Sequence, residues 1–116
     1  MSDQTNSAVA EQAKPAQAKP QSKPKRQPPY QVVVLNDEDH TFAYVIEGLV
    51  RFCGHNIERA FQLATTVHHS GRAAVWTGSL EVAELKRDQL KGMGPDFYAE
   101  RVVTYPLGVV LEPMPQ

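Results

Sequence analysis

The chain predicts a small α/β layer fold of the α+β type, with three helices packed on a small, mainly antiparallel sheet in the order β-α-α-β-α-β. Three observations carry this expectation. Two apolar stripes recur with helical period, each opened by a capping residue and closed by a glycine. Short runs rich in valine and other β-formers stand before, between and after the helical segments. The first 29 residues contain almost nothing that could enter a core.

Each element follows from its residues. Tyr30–Leu35 reads as a strand, bounded by Pro28-Pro29 before it and Asn36-Asp37 after it. Phe42, Val45, Ile46, Leu49, Val50 and Cys53 fall on one helical stripe, with Thr41 as N-cap and Gly54 as stop. Asn56 caps a second helix on which Ile57, Ala60, Phe61, Ala64, Val67 and His68 share one broad face, ended by Gly71. Ala73–Thr77, with Trp76, predicts a second strand. Ser79 caps a third helix that runs from Leu80 to about Lys91 and stops at Gly92 and Gly94-Pro95. Val102–Tyr105 and Gly108–Glu112 are β-prone, with Pro106-Leu107 breaking them. There is no internal repeat.

Composition divides the chain into a tail, residues 1–29, and a folded domain, residues 30–116. The tail is rich in Ala, Gln, Lys, Pro and Ser, and its only large apolar residues are Met1 and Val9. Such a stretch cannot bury enough surface to offset its chain entropy, so disorder is expected. It lacks the continuous apolar core of a secretory signal. The tail carries +3 and the domain −4, which together give the chain its net charge of −1. An acidic domain argues against a nucleic-acid surface. No apolar run approaches membrane-spanning length, so a cytoplasmic protein is expected. A lone cysteine, Cys53, rules out a disulfide framework and a cysteine zinc cluster; on the apolar helix face it reads as a buried, inert thiol.

The chemistry gathers where the first strand meets the first helix. The run Leu35-Asn36-Asp37-Glu38-Asp39-His40-Thr41-Phe42 places several acceptors beside a large apolar side chain. Acceptors next to an apolar pocket suit a ligand that is cationic at one end and hydrophobic at the other, as the free N-terminus of a peptide is. Asp37 and Asp39 are equally well explained as turn formers and as carboxylates complementing a helix N-terminus. His68 and His69 are adjacent, so they project about 100° apart and cannot both face one site. His68 falls on the inward face, where a hydrogen-bonded structural histidine is the commoner case.

From Tyr30 to Lys86 the chain resembles the ClpS adaptor family, which recognises N-degrons for a ClpA- or ClpC-type AAA+ unfoldase and its ClpP protease. The resemblance rests on the apolar strand followed by Asn36-Asp37, then Val45-Ile46, Glu58-Arg59-Ala60, Gln62-Leu63, Val67-His68 and Gly71. Thr77, Glu81-Val82-Ala83-Glu84, Lys86, Pro106-Leu107 and Leu111-Glu112 continue it in order. Members also carry a flexible N-terminal extension, matching residues 1–29.

The resemblance implies that Asn36, Glu38 and His68 bind the α-ammonium of a substrate. It places the side-chain pocket at Phe42, Val45, Ala64, Val67 and Leu107, and unfoldase contacts at Glu81 and Lys86. The chemistry agrees: an amide oxygen, a carboxylate and a neutral imidazole nitrogen all accept, and an ammonium donates three bonds. The sequence also departs from the family pattern. Glu38 replaces the usual Asp, and His40-Thr41 replace Thr-Pro. Phe42 and Ala64 stand where methionines are typical, and His69 where an aromatic is common. The segment from Gly92 to Arg101 is longer than usual. Large hydrophobic first residues are expected, Leu, Ile and Val at least as readily as Phe, Trp and Tyr.

Three readings follow. The first is a monomeric adaptor without catalysis, cofactor or metal, which binds hydrophobic N-termini and delivers them to a protease. The second is a metal-dependent enzyme using Asp37, Glu38, Asp39, His40 and His68, although ligands so close in sequence build a closed coordination sphere poorly. The third is a structural interaction domain of the same fold, in which the acidic loop is only a helix cap.

Overall fold

The computed structural model describes residues 27–115. The expected extension over residues 1–29 therefore lies, except for its last three positions, outside the described residues. The elements are β1 (Tyr30–Leu35), α1 (Phe42–Cys53), α2 (Ile57–Ser70), β2 (Arg72–Gly78), α3 (Leu80–Lys91) and β3 (Val109–Pro113). The sheet order is β2-β1-β3, with β1 antiparallel to both neighbours. The central position explains why β1 carries three consecutive valines: Val32, Val33 and Val34 are all buried, as a strand covered on both faces requires.

Local chemistry sets the helix boundaries. Thr41, Asn56 and Ser79 each accept, through the side chain, the backbone amide three residues on. Gly54 and Gly71 close α1 and α2 in the left-handed conformation, at φ 76° and 91°, which side chains disfavour. Gly92 ends α3 with an ordinary negative φ.

The structure corrects the sequence reading at five places, three in the strands and two in the buried helix faces. Strand β2 extends one residue beyond each predicted end, and β3 is shifted one residue toward the C-terminus. Val102–Tyr105 is not a strand: Val103 alone forms an isolated bridge, to Asp96. This segment is held to the α1 N-terminus by side-chain bonds rather than by a ladder.

The face that α1 buries is rotated, comprising Tyr44, Val45, Gly48, Leu49 and Cys53, with Phe42 and Val50 partly exposed. The cause is the chain beyond α3. A side chain at Gly48 would meet Met93 Sδ at 2.7 Å, and Tyr44 donates its hydroxyl proton to the Gly94 carbonyl.

On α2 the buried residues are Ala60, Leu63, Ala64 and Val67. Ile57, Phe61 and His68, expected to share the inward face, are exposed. Small residues at positions 60 and 64 let α2 approach closely, so only a narrow stripe is covered. Cys53 is buried as expected, and burial pushes its thiol up to about 11, against a smaller opposing effect of the Lys86 charge. No helix of the described residues is long and apolar enough to cross a membrane.

Candidate functional site

The end of β1 is tied down on both sides. Leu35 donates its amide to the Gly108 carbonyl at 2.9 Å, and Asn36 donates its amide to the Gly71 carbonyl at 2.9 Å. The second bond fixes Asn36 beside the residue that closes α2, three positions after His68. The bond thus sets Asn36 at the end of α2 that carries His68, and both residues line the same hollow.

The loop that follows is ordered by its own side chains. Asp37 Oδ1 accepts the amides of Asp39 (2.8 Å) and His40 (2.7 Å), and Asp37 Oδ2 lies 2.6 Å from His40 Nδ1. His40 Nε2 lies 3.0 Å from the Tyr105 carbonyl oxygen. The ring stacks on Tyr44 and meets Tyr105 edge-on, leaving the His40 side chain only 2 % exposed. Burial would raise the Asp37 carboxyl, but the hydrogen bonds from His40 and Asp39 outweigh it and hold the group below its ordinary value.

Asp39 accepts the Tyr105 hydroxyl at 2.7 Å. That bond to a carboxylate, more than burial, raises the Tyr105 phenol above its usual range. Thr41 donates its amide to Asp96 at 2.8 Å and its hydroxyl at 3.0 Å, while the same hydroxyl accepts from Tyr44 N at 3.1 Å.

Against this background three side chains stand apart. Asn36, Glu38 and His68 make no side-chain hydrogen bond or ion pair among the described residues. Asp37, Asp39, His40 and Thr41 are all engaged: Asp37 forms the turn as expected, Asp39 instead holds Tyr105, and Glu38 is left unexplained.

A hollow of about 150 Å³ opens beside these groups. It is lined by Asn36, Glu38, Phe42 and His68 at its mouth and by buried Val45, Ala64 and Val67. That volume suits one side chain better than a drug-sized ligand. Phe42, 36 % exposed, stands at the rim, with its ring edge-on to His68 at 5.5 Å.

The structure therefore brings together seven of the eight residues predicted for the amine and side-chain sites. The exception is Leu107, which is 2 % exposed, packs in the core and does not line the hollow. His68 is exposed at the rim rather than turned inward. Glu81 and Lys86 lie on α3 and do not line the hollow; Glu81 is exposed in its first turn, and the Lys86 ammonium sits 6.0 Å from the Trp76 ring centre. No group of three or more His, Cys, Asp or Glu side chains is arranged to hold a metal ion among the described residues, those of the metal reading included.

Sequence reasoning misses Asp96, whose buried carboxylate anchors Thr41, and Tyr105, which clasps the loop through Asp39 and His40. The Gly94-Pro95 pair just before Asp96 marks a turn but not its destination.

Comparison with known proteins bears on the family and the fold. Residues 25–97 match the family model of ATP-dependent Clp protease adaptor protein ClpS. The ATP-dependent Clp protease adapter protein ClpS of Nostoc sp. is 44 % identical over 71 residues, spanning 60 % of this chain and 73 % of that protein. Its counterpart from Thermosynechococcus vestitus is 41 % identical over 71 residues, spanning 60 % and 76 %. These relatives are named as adapters rather than as enzymes. Among solved structures, Agrobacterium tumefaciens ClpS2 bound to L-phenylalaninamide superposes with a TM-score of 0.62 and 25 % identity, covering 77 % of this chain and all of that one. With its three helices on a three-stranded antiparallel sheet, the chain belongs to the ClpS family of Clp protease adaptors.

Proposed function

We propose that the protein binds the free N-terminus of polypeptides that begin with a large hydrophobic residue and delivers them to a ClpA- or ClpC-type AAA+ unfoldase with its ClpP protease. The observation that carries this reading is the set of uncommitted acceptors, Asn36, Glu38 and His68, at the mouth of an apolar hollow.

An α-ammonium offers three donors to three acceptors, and bonds to a charged donor are roughly twice as strong as neutral ones. The first side chain enters between Val45, Ala64 and Val67, with Phe42 at the rim. Burying a large apolar side chain there contributes about 1.5–3 kcal/mol, enough to select such residues over Gly or Ser. The ligand of the A. tumefaciens relative supports the assignment by its chemistry. Phenylalaninamide is a free amine, an apolar side chain and an amide where a peptide would continue.

In this reading the protein catalyses nothing and works as a cytoplasmic monomer. Glu81 and Lys86 on α3, apart from the hollow, meet the unfoldase. The test is reconstituted ATP-dependent degradation of a reporter with an N-terminal Leu by ClpA–ClpP or ClpC–ClpP. Degradation should require the adaptor, fall in His68→Ala, and fall in the double variant Glu81→Ala, Lys86→Ala with peptide binding intact. Equal degradation with and without adaptor would contradict the proposal.

A further inference from the structure

Phe61 has no evident task in the fold. It is 53 % exposed on α2, one turn before Ala64 and two turns before His68. Its ring centre lies 6.0 Å from that of Phe42, with the planes tilted by 58°. Phe42 in turn meets His68 edge-on at 5.5 Å. Residues 61 and 68 are seven apart and share one face of α2, so Phe42 is clasped from two sides by the same helix face.

Phe42 needs such a clasp. It is the first residue of α1, partly exposed, and without a second contact its ring could rotate toward solvent at little expense. A ring held in one rotamer makes the rim a fixed wall, and a fixed wall discriminates side chains by size. A ring free to swing out leaves the hollow wider and loses contact with a compact aliphatic side chain. The same ring also borders the His68 imidazole, so its position bears on both ends of the ligand.

We propose that Phe61 is a positioning residue that, by holding Phe42, sets which first residues the hollow accepts. This rests on the N-terminus-binding reading and deepens it: the pair favours compact branched residues such as Leu over Trp.

The test measures fluorescence anisotropy of two free-amine peptides identical except for Leu or Trp at the first position. The proteins are the parent chain, Phe61→Ala, Phe61→Tyr, Phe42→Ala and the double alanine variant. Phe61→Ala should weaken Leu binding about two- to tenfold, the range of one aromatic pair, and shift the Leu-to-Trp ratio toward Trp. Phe61→Tyr should match the parent, because the ring is kept. In the Phe42→Ala background, Phe61→Ala should change nothing further. The urea midpoint of Phe61→Ala should fall by no more than one aromatic pair is worth, leaving the variant fully folded in the assay and separating positioning from folding. An unchanged Leu-to-Trp ratio in Phe61→Ala overturns the proposal. So does an equal loss in the Phe42→Ala background, which would mean that Phe61 touches the peptide itself. No binding of either peptide by the parent chain would overturn the N-terminus-binding reading along with it.

Discussion

Asp96 and Thr41 stand 55 residues apart, yet the Asp96 carboxylate accepts both the Thr41 amide, at 2.8 Å, and the Thr41 hydroxyl, at 3.0 Å. The Thr41 hydroxyl simultaneously caps α1 by accepting from Tyr44 N. One buried side chain from the long segment after α3 thus holds the cap residue of the helix that presents Phe42 and Val45. The same carboxylate accepts the Tyr98 amide at 2.9 Å, which folds its own loop around it.

Removing that carboxylate should therefore loosen the site as well as the fold. Asp96→Ala leaves the donors of Thr41 and Tyr98 without their acceptor, and each buried unpaired group costs roughly 1–3 kcal/mol. A loss of about 2–5 kcal/mol in urea unfolding is expected, with Asp96→Asn losing less because one acceptor oxygen survives. Peptide affinity should fall in the same order. Unchanged stability in Asp96→Ala would show that the segment is not an anchor.

The Asp37 clasp predicts an acid dependence. Its carboxyl is held below its ordinary value of 3.8 in the folded protein. Such a group contributes stability at pH above the unfolded value and loses that contribution as pH falls through the folded one. The parent should be more stable than Asp37→Asn at neutral pH, and the difference should close as pH drops below 3.8. The measurement is the urea midpoint of both proteins across the acid range. A difference that persists undiminished at the acid end would assign the stability to the turn geometry alone.

Cys53 should be unreactive while the protein is folded. Its thiol is raised from 9.0 to about 11 by burial, so at pH 8 almost none is present as thiolate. A disulfide reagent at pH 8 should label the native chain slowly and one thiol per chain on denaturation. Because the unfolded thiol ionises first, it adds to the decline in stability as pH rises from 9 toward 11, and Cys53→Ala should decline less steeply, the raised Tyr105 phenol acting in both proteins. Rapid labelling of the native chain would contradict the buried assignment.

What was legible in the sequence was local. Thr41, Asn56 and Ser79 cap helices because a side-chain oxygen three residues before an orphan amide satisfies it whatever the tertiary fold. Gly54 and Gly71 stop helices for an equally local reason. What failed to show was set by distant partners. Tyr44 and Gly48 turn inward because Met93 and Gly94 arrive from beyond α3. Phe61 lies one residue, about 100° of helix, past Ala60, at the margin of a stripe that small residues make narrow. The amine-site trio could be placed in sequence only through the family resemblance. The difference between engaged Asp37 and unengaged Glu38 arises only in the folded loop.

That difference is the centre of the account, and blocking the ligand amine tests it most directly. Fluorescence anisotropy would compare one Leu-initiated peptide with its N-acetylated twin. Acetylation removes the charge and two of three donors, leaving acceptors unpaired at roughly 1–3 kcal/mol each, so affinity should fall at least about tenfold. Glu38→Gln should weaken the free peptide and leave the acetylated one unchanged. Equal affinity for both peptides would contradict ammonium recognition by Asn36, Glu38 and His68.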